Sequence, residues 1–206
     1  MTDPLLSVDT ASDESTAWVA LSRGDLYARW AGIFTVHRLS GGLSRRDHLF
    51  SAVREVRYRA ITVSAHGAPG VVLDGSGQAL FGEGDSREDL ALLAAGREVY
   101  LCACRSLEGE LGERLIDAGA TLVVGFTGDP AWDHDEGRRA FARVDRALLT
   151  ALAEGTGAGG MEAARAALLD EIAAAEQGAG GDGQRDLARL GRVLETMVIL
   201  RAEEER

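Results

Sequence analysis

Two residues that could carry out nucleophilic chemistry each follow an apolar run typical of a β-strand. His66 comes directly after residues 60–65, and Cys104 directly after residues 98–103. If these runs are neighbouring parallel strands, their carboxyl ends lie roughly 5 Å apart. An imidazole at that distance can take the thiol proton and leave a thiolate, which is the reactive form of cysteine. The spacing therefore predicts a cysteine–histidine site.

The backbone around these two residues could stabilise a developing negative charge. Gly67 follows the histidine, and its lack of a side chain would let a substrate carbonyl approach. The N–H groups of Gly67 and Cys104 could together form an oxyanion hole. A helix that begins near Glu108 would favour the thiolate through its amino-terminal dipole.

Strand-like and helix-like segments alternate through the middle of the chain, which predicts a doubly wound α/β fold with a mostly parallel sheet flanked by helices. Ser44 and Ser86 are candidate helix N-caps, because each precedes an acidic residue and an apolar periodic run. A glycine-containing turn predicts a short hairpin over residues 71–81. The expected strands are residues 33–39, 60–65, 98–103 and 120–126, with a third helix over residues 109–118.

The two ends of the chain have a different composition. Residues 1–16 are rich in Asp, Ser and Thr and predict a flexible tail, and a turn-like Ser-Arg-Gly-Asp at 22–25 predicts a hairpin. Residues 154–160 predict a glycine-rich linker, followed by helices over 161–175 and 185–203. We therefore expect a tail (1–16), a catalytic domain (17–155) and a C-terminal α-helical hairpin (156–206).

The composition excludes several classes of function. The net charge of -11 and the pI near 4.8 argue against binding to nucleic acid or to an anionic membrane surface. The first residues lack the features of a signal peptide, so we expect a cytoplasmic protein. The spacing of Cys102 and Cys104, with a single residue between them, makes them poor disulfide partners, which predicts reduced thiols. We find no metal-ligand spacing or phosphate-binding motif, and expect no metal or cofactor.

These motifs occur in an order that resembles a known family. The chain has Ser-Ala-His-Gly at 64–67, a glycine-rich hairpin, Cys-Ala-Cys-Arg-Ser at 102–106, and Ala-Gly-Ala-Thr-Leu-Val-Val-Gly-Phe at 118–126. Over residues 33–155 this order is similar to the CHAT branch of the caspase-like cysteine peptidases. The resemblance implies a caspase–haemoglobinase fold, with His66 as general base and Cys104 as nucleophile.

Further residues are assigned with alternatives left open. Asp129, Trp132, Asp133 and Asp135 lie in the loop that borders the substrate cleft in that fold, and they could bind a cationic side chain. N-capping of the next helix by Asp133 or Asp135 explains the same residues. Cys102, flanked by apolar residues, is expected to be a core residue.

Two functions fit the sequence. The first is a cysteine endopeptidase that cleaves a protein or peptide substrate with a His66–Cys104 dyad in a bacterial defence or signalling system. A regulatory partner or self-association through the C-terminal helices would then control it. The alternative is a non-catalytic module of the same fold that docks through those helices, because the second helix has an apolar seam.

Overall fold

The computed structural model describes residues 3–129, 135–176 and 190–202. A six-stranded sheet with helices on both faces forms most of this part of the chain, and a small three-stranded sheet lies beside it. The α/β class and the mostly parallel sheet agree with the prediction. Within the described ranges, no helix is long and apolar enough to span a membrane.

The large sheet has the strand order β2-β1-β3-β7-β8-β9, and only β9 is antiparallel to its neighbour. The small sheet, β4-β5-β6, contains the predicted hairpin and is antiparallel. The strands are β1 (Leu5–Asp9), β2 (Val36–Ser40), β3 (Ala60–Ser64), β4 (His66–Ala68), β5 (Val71–Leu73), β6 (Ala79–Gly82), β7 (Glu98–Cys102), β8 (Leu122–Phe126) and β9 (Met197–Arg201).

Within the described residues, six α-helices of seven or more residues cover the two faces of the large sheet. They are α1 (Glu14–Trp30), α2 (Arg46–Glu55), α3 (Arg87–Ala94), α4 (Leu111–Asp117), α5 (Asp135–Glu154) and α6 (Gly157–Glu176). Helices α1, α5 and α6 pack on one face, and α2, α3 and α4 on the other. Successive strand residues point to opposite faces, so Tyr100 lies in the first core and Leu101 in the second.

Local signals explain where several elements begin. Helix α3 starts after Ser86, whose hydroxyl accepts the N–H of Asp89 at 3.1 Å, so this predicted N-cap is confirmed. Helix α2 instead has Arg45 as its N-cap, and the hydroxyl of Ser44 donates to the carbonyl of Gly41 in the preceding turn. The continuous apolar run of β8 is buried along its whole length, as expected for a strand covered on both faces.

The prediction of a flexible tail over residues 1–16 is wrong. Residues Leu5–Asp9 form β1, which is fully buried and lies between β2 and β3. The predicted hairpin over residues 18–30 is also wrong, because this segment is part of α1. Its turn-like residues are held in the helix by tertiary contacts, since the side chain of Arg23 is fully buried. Packing has overridden the local turn propensity.

The C-terminal helical hairpin is only partly found. Helix α6 covers the first predicted helix, but it begins at Gly157, inside the predicted linker. The second prediction is wrong over Met197–Arg201, which form β9 and pair with β8 from Leu122 to Phe126. Residues 190–195 are helical, and residues 177–189 lie outside the described ranges. Edge pairing on an already formed sheet explains the strand.

A buried ionic cluster joins the sheet to α1 and α5. The guanidinium of Arg23 donates to Asp145 at 2.7 and 3.0 Å, and its remaining terminal nitrogen lies 3.4 Å from Asp9. Arg38 donates to Asp9 at 2.9 Å, and the hydroxyl of Tyr100 donates to Asp145 at 3.0 Å. Two cations therefore face two anions, which compensates charges that would be costly to bury alone.

Removing one member of this cluster is expected to destabilise the protein strongly. Asp145→Ala leaves Arg23 buried without its closest partner, so we expect the free energy of unfolding to fall by about 3–5 kcal/mol. Urea denaturation measures this change. Arg57→Ala is the control, because it removes an ion pair with Asp3 whose arginine is 88% exposed, and it should cost less than about 1 kcal/mol. Equal losses in the two variants would contradict the role of the cluster.

Candidate functional site

The register of the central strands brings the ends of β3 and β7 together. Ser64, the last residue of β3, pairs with Cys102, the last residue of β7, and the N–H of Ala65 donates to the carbonyl of Cys102 at 3.2 Å. His66 and Cys104 each lie two residues beyond this last pair. The neighbouring parallel strands predicted from the sequence are therefore present, and both residues lie at the carboxyl edge of the sheet, where α/β proteins place their ligands.

Gly67 and Cys104 are in direct backbone contact. A Cβ atom added to Gly67 would lie 2.0 Å from the carbonyl oxygen and 3.1 Å from the nitrogen of Cys104. Only a glycine can occupy this position without moving the backbone that carries the thiol. The structure thus brings together the two backbone segments predicted for the oxyanion hole. Cys104 is partly exposed and neither cysteine is in a disulfide.

Asp13 is a site residue that the sequence analysis missed. One oxygen of its carboxylate, Oδ2, hydrogen-bonds with Nε2 of His66. The other oxygen, Oδ1, accepts the N–H of Thr16 at 2.9 Å, so Asp13 is also the N-cap of α1. Both side chains remain accessible, with His66 47% and Asp13 45% exposed. The N-cap pattern was readable in the sequence, but the contact with His66, 53 residues away, was not.

The environment of Asp13 keeps its carboxylate charged. Partial burial raises the pKa of Asp13, but the hydrogen bonds from the Thr16 N–H and from His66 outweigh that effect and lower the pKa below its ordinary value. The carboxylate therefore stays ionised throughout the neutral and mildly acidic range. A charged carboxylate on Nε2 holds the imidazole in one orientation. Because the pKa of Asp13 is lowered, this contact is lost only as the pH falls below the ordinary range of an aspartate and Asp13 takes up a proton.

Backbone strain is concentrated beside the same three residues. Among the described non-glycine residues, Ala11 (φ 46°) and Arg105 (φ 55°) have positive φ angles. Ala11 lies two residues before Asp13, and Arg105 directly follows Cys104. The N–H of Arg105 donates to the carbonyl of Gly128 at 3.1 Å, which fixes the strained segment against the end of β8. Strain of this kind clusters at functional sites.

Cys102 lies in the core below the site, as the sequence predicted. It is 1% exposed, and its sulfur lies 3.9 Å from the hydroxyl of Ser64. Burial, with a contribution from nearby Asp145, raises the pKa of the Cys102 thiol far above its ordinary value. A thiol in this state is a poor nucleophile, so the two cysteines have clearly different environments.

The predicted substrate-binding residues are only partly within the described structure. Asp129 is exposed and lies close enough to Arg105 to raise the pKa of that guanidinium, although the larger cause is the hydrogen bond to Glu108. Asp135 is the first residue of α5. Trp132 and Asp133 lie outside the described residues. Among the side chains that are described, no group of three or more His, Cys, Asp or Glu could hold a metal ion.

Filling the space at Gly67 should disrupt the site. The Cβ atom of Gly67→Ala would overlap the carbonyl of Cys104, so we expect a loss of about 1–3 kcal/mol in unfolding free energy together with slower alkylation of Cys104. Gly84→Ala is the control, since nothing lies within 4 Å of its Cβ position. Thermal denaturation and iodoacetamide labelling measure both effects. If the two variants behaved alike, the close contact would have no functional importance.

The charge of Asp13 can be separated from its N-cap role. Asp13→Ser keeps a hydroxyl that can cap α1 but removes the carboxylate that reaches His66. We expect Cys104 to alkylate about tenfold more slowly at neutral pH, which corresponds to roughly 1.4 kcal/mol, with little change in stability. Glu14→Gln, at the neighbouring 81% exposed carboxylate, should leave the rate unchanged. If Cys104 alkylated at the wild-type rate in Asp13→Ser, Asp13 would have no role in the site.

Comparison with known proteins gives no relative for this chain: no family model matches it, and no curated protein gives a significant match.

Proposed function

We propose that the protein is a cysteine endopeptidase of the caspase-like type, in which Cys104 is the nucleophile and His66 the general base. The observation that carries this proposal is the contact of Gly67 with the backbone of Cys104, next to an imidazole held by Asp13. A thiol, a base and an orienting carboxylate at one sheet edge form the arrangement that nucleophilic catalysis requires.

The reaction proceeds in two steps. His66 takes the proton of Cys104, and the thiolate attacks the carbonyl carbon of a peptide bond to give a tetrahedral oxyanion. The backbone N–H groups of Gly67 and Cys104 stabilise that oxyanion. As the C–N bond breaks, the imidazolium protonates the leaving amine, and a thioester remains on Cys104. His66 then takes a proton from water, which attacks the thioester and releases the acid product.

Asp13 acts through His66 in this mechanism and does not touch the substrate. Its carboxylate fixes the ring with Nε2 directed away from the reaction, so Nδ1 is the nitrogen left for the thiol proton. It also stabilises the imidazolium that forms in each step. The lowered pKa of Asp13 keeps this carboxylate charged throughout the neutral range.

The resemblance to the CHAT branch supports the same assignment from the sequence. The mostly parallel sheet is compatible with the coarse fold class of those peptidases, and the caspase-like fold itself is part of the proposal. Asp129, on the exposed side of Arg105, is proposed to contact substrate together with Trp132, Asp133 and Asp135. A partner protein is proposed to regulate the enzyme in a bacterial defence or signalling system.

The alternative function is a non-catalytic docking module, and one observation favours it. Leu169 on α6 is 43% exposed, and an open groove of about 610 Å³ lies between α5 and α6. Part of the predicted docking hairpin is, however, the strand β9, which pairs with β8 at the edge of the sheet. The groove therefore provides a smaller docking face than the sequence suggested.

Cleavage of a mixed peptide library tests the peptidase directly. New peptide termini should appear with the wild-type chain and fall at least about a thousandfold in Cys104→Ala, because the nucleophile is removed. Cys102→Ala is the matched control. It removes the buried thiol, so the folded fraction of this variant should cleave within about threefold of wild type.

The opposite results have clear meanings. Termini that persist in Cys104→Ala would contradict its role as nucleophile. If wild type made no new termini, equal iodoacetamide labelling of Cys104 in wild type and His66→Ala would reject the dyad and leave the docking function.

A further inference from the structure

A small pocket opens at the carboxyl edge of the sheet, beside the segment that leads into Asp13. Its volume is about 270 Å³, enough for one side chain. The loop after β1 (10–12), the segment before α2 and the hairpin turn 74–76 form its walls. We name it the Arg45 pocket, after the one cationic residue that lines it.

Arg45 has no directly bonded anion. Among the described residues, none accepts a hydrogen bond from its guanidinium or lies within ion-pair distance of it, and its charge acts only at longer range, on the carboxylate of Asp74. The adjacent Arg46 provides the contrast, because it pairs with Asp85 at 2.9 Å and with Asp89 at 3.1 Å. In a protein with a net charge of -11, an arginine without a salt bridge at a pocket wall is available to an external anion.

A buried hydroxyl on the same side of the sheet also lacks a partner. Thr10 lines the pocket and is 3% exposed, and its Oγ1 makes no hydrogen bond with the described residues. Asp9 points toward α1 and α5, so the next residue points toward α2, where the pocket lies. A buried hydroxyl without a partner costs free energy unless a ligand or water satisfies it.

The one acidic residue of the pocket is engaged in its own turn. Oδ1 of Asp74 accepts the N–H of Ser76 at 2.8 Å, its hydroxyl at 2.7 Å and the N–H of Gln78 at 3.0 Å. These bonds, led by the Ser76 hydroxyl, lower the pKa of Asp74, and the nearby charge of Arg45 makes the smallest contribution. Asp74 therefore serves to shape the turn, and Arg45 remains without a salt bridge.

We propose that the Arg45 pocket binds the carboxylate of an acidic side chain in the peptide substrate. This deepens the peptidase assignment and rests on it. A planar guanidinium can bind a carboxylate through two parallel N–H bonds, and the Thr10 hydroxyl can donate a third. Because Ser12 at the pocket wall directly precedes Asp13, which hydrogen-bonds with His66, we place the acidic residue ~2–3 residues from the scissile bond, at about 3.3 Å per residue.

Binding is tested first without catalysis. Blocked aspartate (N-acetyl-aspartate amide) is titrated into the full-length Cys104→Ala chain, and backbone amide shifts are followed by NMR. We expect saturable shifts at Gly42, Gly75 and Ser76, and no such shifts with blocked asparagine. Arg45→Gln should weaken binding about tenfold or more. Arg54→Gln is the matched control, an arginine on α2 outside this pocket that lies over the ring of Phe50.

Each result of the titration decides the proposal. Equal shifts with blocked asparagine, or binding that survives Arg45→Gln, would overturn it. Inorganic phosphate is the competing probe: if it saturates these amides at least tenfold more tightly than blocked aspartate, the pocket is a phosphate site and the carboxylate assignment is wrong. Arg45→Gln must keep its thermal midpoint for the comparison to hold, and Arg45→Lys, which retains the charge without the planar fork, should bind with intermediate affinity.

The peptide library then connects the pocket to cleavage. We expect cleaved peptides to be enriched in Asp or Glu two or three residues from the cut, and Arg45→Gln to lose that enrichment while still cutting other sequences. Cleavage with no acidic preference would overturn the subsite and leave the peptidase standing. Absence of Cys104-dependent cleavage would reject the peptidase instead, and the titration would still decide whether the pocket binds a carboxylate.

Discussion

The structure depends on the in-register parallel pairing of β1, β3 and β7. Their last residues, Asp9, Ser64 and Cys102, are register partners on one line across the sheet. The chain then leaves each strand at the same edge, so a few residues further on His66 bonds to Asp13 and the backbone of Gly67 lies against that of Cys104. A slip of one residue in any strand would turn its side chains to the opposite face and separate the site.

The buried cluster around Arg23 connects this pairing to the orientation of His66. Arg23 lies on α1 and binds Asp9 of β1 and Asp145 of α5. Helix α1 begins at Asp13, so the cluster that fixes the helix also fixes the carboxylate on the imidazole. A buried ion pair adds little net stability compared with apolar packing, but it specifies a single arrangement. We infer that the buried cluster lies below the site because the site needs a single arrangement of α1 and the sheet.

The parts of the fold that were predictable are those in which local and tertiary preferences agree. The strands β3, β7 and β8 are mostly apolar because both faces are covered, and Ser86 caps α3 with an ordinary local signal. Strand β1 was missed because Ser7 and Asp9 are polar and resemble a loop. They are buried only because Tyr27, Arg23 and Arg38 provide hydrogen bonds from elsewhere in the chain.

The errors at the C-terminus and in the site have similar physical causes. The apolar pattern of Met197–Arg201 fits either an amphipathic helix or a strand. The segment is a strand because it pairs with the otherwise open edge of β8. The placement of His66 and Cys104 at one edge of the sheet was predictable because both follow recognisable strands. The contact with Asp13 required knowing that β1 lies next to β3, and the sequence offers no local sign of that neighbour.

At this site the backbone is held in place, whereas the side chains remain accessible to solvent. The backbone of Cys104 is held by Gly67 on one side, and the N–H of the next residue bonds to Gly128 on the other. The side chains of Asp13 and His66 are nearly half exposed. For the proposed reaction, a fixed backbone would place the thiol and the N–H donors without reorganisation, which is where preorganised sites gain their rate. The strain at Ala11 and Arg105 is the structural cost of that placement, and the fully buried strands beneath them offset it.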